Sequence, residues 1–336
     1  MSIQNRKKDH VSLCVSGNVN YEKTTGFEQY DFLHNALPEI ALDDIDVSAE
    51  LLGRRFSFPL FISSMTGGYS GAVAVNEIIA EFCESHNLPF GVGSQRAMLE
   101  RPEERASFRI AREKAPTAFI AANIGGCQLP QLTGDDIQCM LDVIEANALI
   151  IHLNPLQELM QPEGDRDFSH VLENIERLCR QLEVPVMVKE TGAGISGLVA
   201  AKLYKAGAAV VDVAGAGGTS WSRVENARAS DPNSLFDDWG IPTVVCLEQI
   251  SALKVPGRQL IASGGIKNSL DIAKALCLGA DFAAAAQPVI KAVIQDGREG
   301  LEAWFGQLRR DFTFALCLLG VSSAEGLNKS YLIKRQ

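Results

Sequence analysis

The chain lacks the sequence signatures of disulfide-rich, zinc-binding and nucleic-acid-binding proteins. Its eight cysteines include no CxxC pair and no Cys/His ligand spacing, so we expect reduced, mostly buried thiols rather than disulfides or a zinc site. Lys and Arg total 31 against 41 Asp and Glu, which gives a net charge of -10. This acidic balance argues against binding to nucleic acid or to an anionic membrane, although basic residues cluster at Arg6, Lys7 and Lys8.

No apolar run is long enough to cross a membrane. The two most apolar regions, residues 206–218 and 275–294, contain charged or amide side chains before they reach the ~20 apolar residues that a span requires. The first ten residues, MSIQNRKKDH, have no apolar stretch after their charges, so no signal peptide is expected. These absences together predict a cytoplasmic protein.

Short apolar runs alternate along the chain with segments of helical spacing. We predict eight strands, at residues 58–63, 89–93, 118–123, 149–153, 184–189, 209–213, 259–262 and 281–285. Helices are predicted at residues 72–85, 135–145, 168–181, 196–206 and 243–253, with Thr133 capping the second. Eight strand–helix pairs indicate an α/β fold, a (β/α)₈ TIM barrel, over residues 58–320. Residues 1–57 would form an N-terminal extension and residues 321–336 a C-terminal tail.

Two alternatives to this barrel remain open from the pattern. Residues 243–246, TVVC, would also suit a ninth strand, but Pro242 fits the first turn of a helix and the helical apolar spacing continues to Leu253. An open doubly wound sheet is the other possible α/β architecture. It would be expected to carry a GxGxxG after its first strand, and the glycine pair of SSMTGG lacks that spacing.

The fourth predicted strand ends in a cluster of polar side chains, IHLNPLQE at residues 151–158. Residues two apart on a strand share a face, so His152 and Asn154 point the same way, and Gln157 and Glu158 follow just beyond. Turns ordinarily use Gly, Pro, Asn, Asp and Ser rather than His, Gln and Glu. Because barrels place their chemistry at the carboxyl ends of strands, we predict a functional site here rather than a simple loop cap.

The loops after the last three predicted strands, AGAGGTSW, ASGGI and AAQP, are built of small residues. Such loops leave backbone N–H groups accessible to an anion, and with Thr219 and Ser263 they predict a phosphate site. Lys189 ends an otherwise apolar strand, and a buried lysine is costly unless it meets an anion or an electronegative ring. An ion pair with Glu190 is the alternative, although adjacent residues on a strand face opposite ways.

Together with RKKDH at residues 6–10, the segments SSMTGG, GSQR, HLNPLQE, VKETGAG, AGAGGTSW and ASGGI resemble the type 2, FMN-dependent isopentenyl-diphosphate delta-isomerases. RKKDH and HLNPLQE are specific to that family, whereas the glycine loops are shared with other FMN-binding barrels such as the α-hydroxy-acid oxidases. The resemblance implies conversion of isopentenyl diphosphate to dimethylallyl diphosphate by a 1,3-proton shift. It also implies reduced FMN as acid and base, NADPH as reductant, Mg²⁺ on the diphosphate, and a homo-oligomer, either a tetramer or an octamer.

The resemblance further implies roles for residues at matching positions. FMN would be bound by Ser64, Met65, Thr66, Ser94, Asn123, Lys189, Thr219, Gly264, Gly265, Ala286 and Gln287. Substrate would be bound by Arg6, Lys7, Ser94, Gln95, Arg96 and Gln157, and Mg²⁺ by Glu158. His152, Asn154 and Gln157 would be the catalytic residues, positioning the allyl unit or relaying a proton. Gln287 departs from the pattern, because flavin barrels often carry a basic residue there, and an amide would weaken the hold on phosphate.

Two other functions fit parts of the sequence. An FMN oxidase or dehydrogenase of hydroxy acids needs a His base and an Arg clamp late in the barrel, and no histidine follows His170. A non-catalytic phosphate-binding barrel would leave the adjacent Gln157 and Glu158 without a role.

Overall fold

The computed structural model describes residues 3–335, apart from the side chains of residues 3–6, 8 and 16. Its strands, in chain order, are β1 (Tyr30–Phe32), β2 (Ala49–Leu51), β3 (Arg54–Phe56), β4 (Leu60–Ile62), β5 (Phe90–Gly91), β6 (Ile120–Gly125), β7 (Ala148–Leu153), β8 (Val186–Glu190), β9 (Val210–Asp212), β10 (Gln259–Ala262), β11 (Phe282–Ala285) and β12 (Leu332–Lys334). Strands β4 to β11 are parallel and adjacent in chain order, and β11 pairs with β4 to close the barrel. The predicted TIM barrel is thereby confirmed.

Helices surround the barrel or lie at its carboxyl end. They are α1 (Ile3–Ser16), α2 (Ala72–His86), α3 (Arg96–Glu100), α4 (Ala106–Lys114), α5 (Gly134–Val143), α6 (Pro155–Met160), α7 (Val171–Gln181), α8 (Gly197–Lys205), α9 (Trp221–Asn226), α10 (Thr243–Ser251), α11 (Ser269–Cys277) and α12 (Gln287–Leu319). The ambiguous TVVC segment begins α10, as predicted. Thr133 caps α5 in a capping box with Asp136, also as predicted. Within α12, Gly297 has a φ of 60°, which interrupts the helix.

The barrel interior is apolar at its amino end. Phe61, Ile150, Met187 and other inward-facing side chains form a cluster distinct from the larger core between strands and helices. The β2–β3 hairpin closes this end, because its Phe56 ring packs edge-on against the rings of Phe119 and Phe282, each 5.9 Å away between centroids. The hairpin therefore covers the amino end of the barrel.

Helix α1 and the chain that follows it to Tyr21 lie at the opposite, carboxyl end of the barrel. Helix α1 contacts α9 and α12, and the Gln287 side-chain amide donates to the Cys14 carbonyl at 3.1 Å. The chain after α1 then hydrogen-bonds to the loop that follows β9, through Tyr21 N–H to the Gly218 carbonyl at 2.9 Å. These contacts place α1 beside the loops that the sequence predicts to be functional. Farther along, β1 pairs antiparallel with β12, so both terminal regions meet on one side.

Among residues 3–335, none of the helices combines the length and the apolar composition that crossing a membrane requires.

Candidate active site

A layer of polar side chains lies directly above the apolar interior of the barrel. It contains the residues two positions beyond the inward-facing apolar residues of β4, β6, β7, β8, β9 and β10. The period of two along each strand directs them to the same side, the inside of the barrel. The members of this layer are Ser63, Asn123, His152, Lys189, Asp212 and Ser263. The period of two along each strand thus places this layer of polar side chains, here called the polar floor, next to the apolar interior at the carboxyl end of the barrel.

A cavity with a volume of about 220 Å³ opens above this floor. Nine of the eleven residues predicted to bind FMN line it, and the other two, Ser94 and Asn123, do not. The nine are Ser64, Met65, Thr66, Lys189, Thr219, Gly264, Gly265, Ala286 and Gln287. Lys7 of α1 also lines the cavity, so the structure brings one predicted substrate residue to the predicted cofactor residues.

The lining of this cavity is suited to an anion. Three lysines, Lys7, Lys189 and Lys267, contribute to it, and no Asp or Glu does among the residues that the structure describes. The buried hydroxyls of Ser64 and Thr66 have no hydrogen-bond partner within the described chain. A buried hydroxyl is costly without a partner, so these two atoms fit a polar ligand such as FMN.

Glycine allows the phosphate-side loops to approach each other closely. A Cβ at Gly218, after β9, would lie 2.5 Å from the Gly265 nitrogen, after β10, so no larger residue fits without movement. Gly265 also has a φ of 77°, in the left-handed region that favours glycine. The predicted phosphate loops therefore meet at one edge of the cavity.

His152 is held as a neutral imidazole. Burial, followed by the charges of Lys189 and Lys7, lowers the pKa of His152 to about 3. The Asn123 amide donates to the Val92 carbonyl at 3.1 Å, so its Oδ1 faces His152 Nδ1 at 2.8 Å and accepts a hydrogen bond from the Nδ1–H group. This assignment leaves His152 Nε2 as a hydrogen-bond acceptor.

Lys189 and Glu190 do not form the side-chain ion pair considered from the sequence. The Lys189 ammonium instead donates to the Glu190 backbone carbonyl at 2.6 Å. The Glu190 carboxylate points away and accepts from the backbone N–H groups of Gly192, Ala193 and Gly194. Burial raises the pKa of Glu190 to about 7 despite these donors.

Gln157 lies in a polar cluster formed by α1, α6 and α9. Its side-chain amide donates to Glu225 Oε1 at 3.1 Å, and His10 Nε2 approaches the same oxygen at 2.9 Å. Burial acts to raise the pKa of the Glu225 carboxyl, but the hydrogen bonds from His10 and Gln157 and the charge of Arg228 lower it overall. Glu225 was not predicted from the sequence, because it lies in a short helix without a recognisable motif.

Glu158 is buried beside a second carboxylate and a thiol. It accepts from the Asn154 amide at 2.9 Å and from the Asp165 backbone N–H at 2.8 Å. Potential ligand atoms of Cys127, Glu158 and Asp165 all lie within 4.8 Å of one another, which could accommodate a cation. Arg96 reaches this group through Asp165, at 3.2 Å.

The remaining predicted substrate residues have different environments. Gln95 is fully buried, and its side chain joins the Met140 carbonyl to the Asn123 N–H. The Ser94 carbonyl accepts from the Lys7 ammonium at 3.1 Å. Arg6 belongs to α1, but its side chain lies outside the described part of the chain.

Comparison with known proteins assigns a family to this arrangement. A family model described as FMN-dependent dehydrogenase matches residues 147–334. An isopentenyl-diphosphate delta-isomerase of Chlorobium limicola is 44% identical, covering 98% of this chain and 95% of that protein. The proteins of the same name from Chlorobium luteolum and Methanothermobacter thermautotrophicus are 47% and 42% identical, over 92% and 98% of this chain and 91% and 93% of their own lengths.

Solved structures with the same fold are more distant in sequence. A flavocytochrome b2 mutant aligns with a TM-score of 0.73 and 20% identity, covering 97% of this chain and 82% of that one. An (S)-mandelate dehydrogenase mutant aligns with a TM-score of 0.69 and 16% identity, covering 98% and 99%. These similarities establish the fold.

Proposed function

Because the chain belongs to the FMN-dependent isopentenyl-diphosphate delta-isomerase family, we propose that it converts isopentenyl diphosphate to dimethylallyl diphosphate by a 1,3-proton shift. The observation that carries this proposal is the cavity at the carboxyl end of the barrel. Its described lining has three lysines and no carboxylate, and two of its buried hydroxyls lack partners. Those features suit a cofactor and a substrate that both carry phosphate.

Different residues of the cavity would bind the phosphate end and the flavin end of FMN. Thr219, Gly264 and Gly265 lie on the close-packed glycine loops and would bind the phosphate, helped by Ala286 and Gln287. Ser64, Met65 and Thr66, which follow β4, and Lys189 of the polar floor would bind the flavin, supported by Ser94 and Asn123. Reduced by NADPH, FMN would supply ring nitrogens that donate and accept protons.

The protein's own residues would orient the substrate beside the cofactor. His152 is neutral and its Nε2 is an acceptor, so it would position the allyl unit rather than donate a proton at neutral pH. Asn154 and Gln157 are fixed by Glu158 and Glu225, and Gln157 would face the substrate from the edge of α6.

The diphosphate would bind between α1 and the loops after β4 and β5. Lys7 already lies there, and Arg6, Ser94, Gln95 and Arg96 would complete the subsite directly or by supporting it. Glu158 would hold Mg²⁺ on the diphosphate, with Asp165 beside it.

The test is turnover of isopentenyl diphosphate by the purified, FMN-loaded protein. We expect activity under anaerobic conditions after reduction with NADPH or dithionite in the presence of Mg²⁺, and none with oxidised FMN in air. Equal turnover in the two states would contradict the role of reduced FMN.

A hydroxy-acid dehydrogenase is the competing function, since the fold neighbours include (S)-mandelate dehydrogenase. The polar floor of the described barrel contains one histidine, His152, and no arginine. We therefore expect no reduction of the bound FMN by lactate or mandelate, measured by loss of flavin absorbance.

A further inference from the structure

Asp212 is a buried carboxylate that none of the roles above uses. It ends β9 within the polar floor, with only 6% of its surface exposed. Strand pairing places it in register with Lys189 of β8, which is itself in register with His152 of β7. In-register residues on neighbouring strands have adjacent side chains, so a carboxylate lies beside the cavity lysine.

The orientation of Asp212 is fixed by its hydrogen bonds. Ser263, the residue after β10, donates its hydroxyl to Asp212 Oδ1, and the Ala214 backbone N–H approaches the same oxygen at 3.3 Å. Asp212 and Lys189 both line a small void of about 10 Å³ beneath the main cavity. Of the two residues, only Lys189 also lines the main cavity, so Asp212 would influence a ligand there through the lysine.

We propose that Asp212 is a positioning residue that keeps Lys189 protonated beside the bound flavin. This inference rests on the proposed function, because it places the flavin next to Lys189. It assigns Asp212 no contact with substrate or cofactor.

The charged groups around Lys189 support this assignment. Burial lowers the pKa of Lys189, and the carboxylates of Asp212 and then Glu190 oppose that effect. The Glu190 carboxylate is engaged by three backbone N–H groups. His152 of β7 is neutral, and Lys7 of α1 contributes a positive charge that lowers the His152 pKa. Asp212 is therefore the carboxylate best placed to stabilise the ammonium group.

The test is the midpoint potential of bound FMN from pH 6 to 9 in wild type and Asp212→Asn, without isopentenyl diphosphate. Asn keeps one oxygen that can accept from Ser263 and Ala214, and it replaces the other oxygen by an uncharged NH2 group. If Lys189 loses its proton in this variant, reduced FMN loses a neighbouring cation and the potential falls below wild type as pH rises. We expect a fall of at least tenfold in the preference for reduced FMN, about 30 mV for a two-electron couple.

The opposite sign would overturn the proposal. If Lys189 kept its proton without Asp212, removing a negative charge would raise the potential at every pH. In a Lys189→Met background, Asp212→Asn should not lower the potential, because the two residues act as a unit. Asp212→Glu should restore the wild-type profile.

A matched control is Asp281→Asn. Asp281 is also a barrel carboxylate, but it accepts from the Leu260 N–H, and no lysine or arginine contributes to its pKa shift. We expect the wild-type potential in this variant. If Asp212→Asn retains too little FMN, the pH dependence of the FMN dissociation constant replaces the potential, and a loss of affinity independent of pH would contradict the proposal. Because neither measurement involves turnover, failure here is distinguishable from failure of the isomerase assignment.

Discussion

Replacing Lys7 tests whether the N-terminal helix, α1, contributes to the substrate site. Its ammonium group donates to the Gly67 carbonyl and, at 3.1 Å, to the Ser94 carbonyl, so it joins α1 to the loops after β4 and β5. The group is thereby held at the edge of the cavity before substrate arrives. Little further ordering would be needed for it to meet a diphosphate.

The expected change in KM follows from the charge of the diphosphate that Lys7 would contact. A charge-assisted hydrogen bond contributes about 1.5–3 kcal/mol, and about 1.4 kcal/mol corresponds to a factor of ten. We therefore expect Lys7→Ala to raise the KM for isopentenyl diphosphate by about tenfold or more, with FMN affinity nearly unchanged. Adding Arg6→Ala should raise it further.

The assay is steady-state turnover at saturating Mg²⁺ and reduced FMN, with FMN affinity measured by fluorescence. Lys23→Ala is the control, because Lys23 also donates to a backbone carbonyl, that of Gly240 at 3.0 Å, but lines a different cavity. Its KM should stay close to wild type. An unchanged KM in Lys7→Ala would show that Lys7 does not contact the diphosphate, and it would contradict a diphosphate subsite at this edge of the cavity.

Two further predictions concern buried carboxylates. Glu158→Gln should abolish most Mg²⁺-dependent turnover and leave FMN binding intact, measured by activity across a Mg²⁺ titration and by flavin absorbance; loss of FMN would instead assign the loop to the cofactor. Burial raises the pKa of Glu190 to about 7, above its ordinary 4.5. Folding therefore favours the protonated carboxyl, and the free energy of unfolding should fall as pH rises between these two values. The expected fall is about 3 kcal/mol, at 1.36 kcal/mol per pH unit. Urea unfolding at pH 5 and pH 8 should show that the free energy of unfolding of wild type falls relative to that of Glu190→Gln. The comparison cancels the contribution of other titrating groups such as His152, and an equal change in the two proteins would refute the prediction.

The barrel could be predicted from sequence because its strands are short apolar runs buried on both faces. Each of the eight predicted runs overlaps one barrel strand. Helix α1 was not predicted, since it is polar and its position depends on tertiary contacts such as Gln287 to Cys14. The β1–β12 pairing was missed for a similar reason, because it joins two short segments about 300 residues apart in sequence, as the Tyr30 to Lys334 register shows.

The site was predicted in part from the sequence. The residues that were missed differ in whether a sequence pattern could have identified them. Asp212 follows the same period-two rule that identified His152, and its position in an apolar strand could have indicated an inward-facing charge. Glu225 and His10 meet across α9 and α1, so their pairing depends on how two separate helices pack. Sequence periodicity does not encode that packing.

The charges of the site explain how a chain of net charge -10 can bind phosphate compounds. Three buried carboxylates near the cavity accept hydrogen bonds from the protein. Glu158 accepts from an amide and a backbone N–H, Glu190 from backbone N–H groups, and Asp212 from a hydroxyl. None of them lines the main cavity, whereas Lys7 and Lys189 do. Because Coulomb interactions weaken with distance and solvent screening, the lysines at the cavity surface dominate what a ligand meets there. We therefore expect the net charge to disfavour broad anionic partners and the local arrangement to favour a small anion.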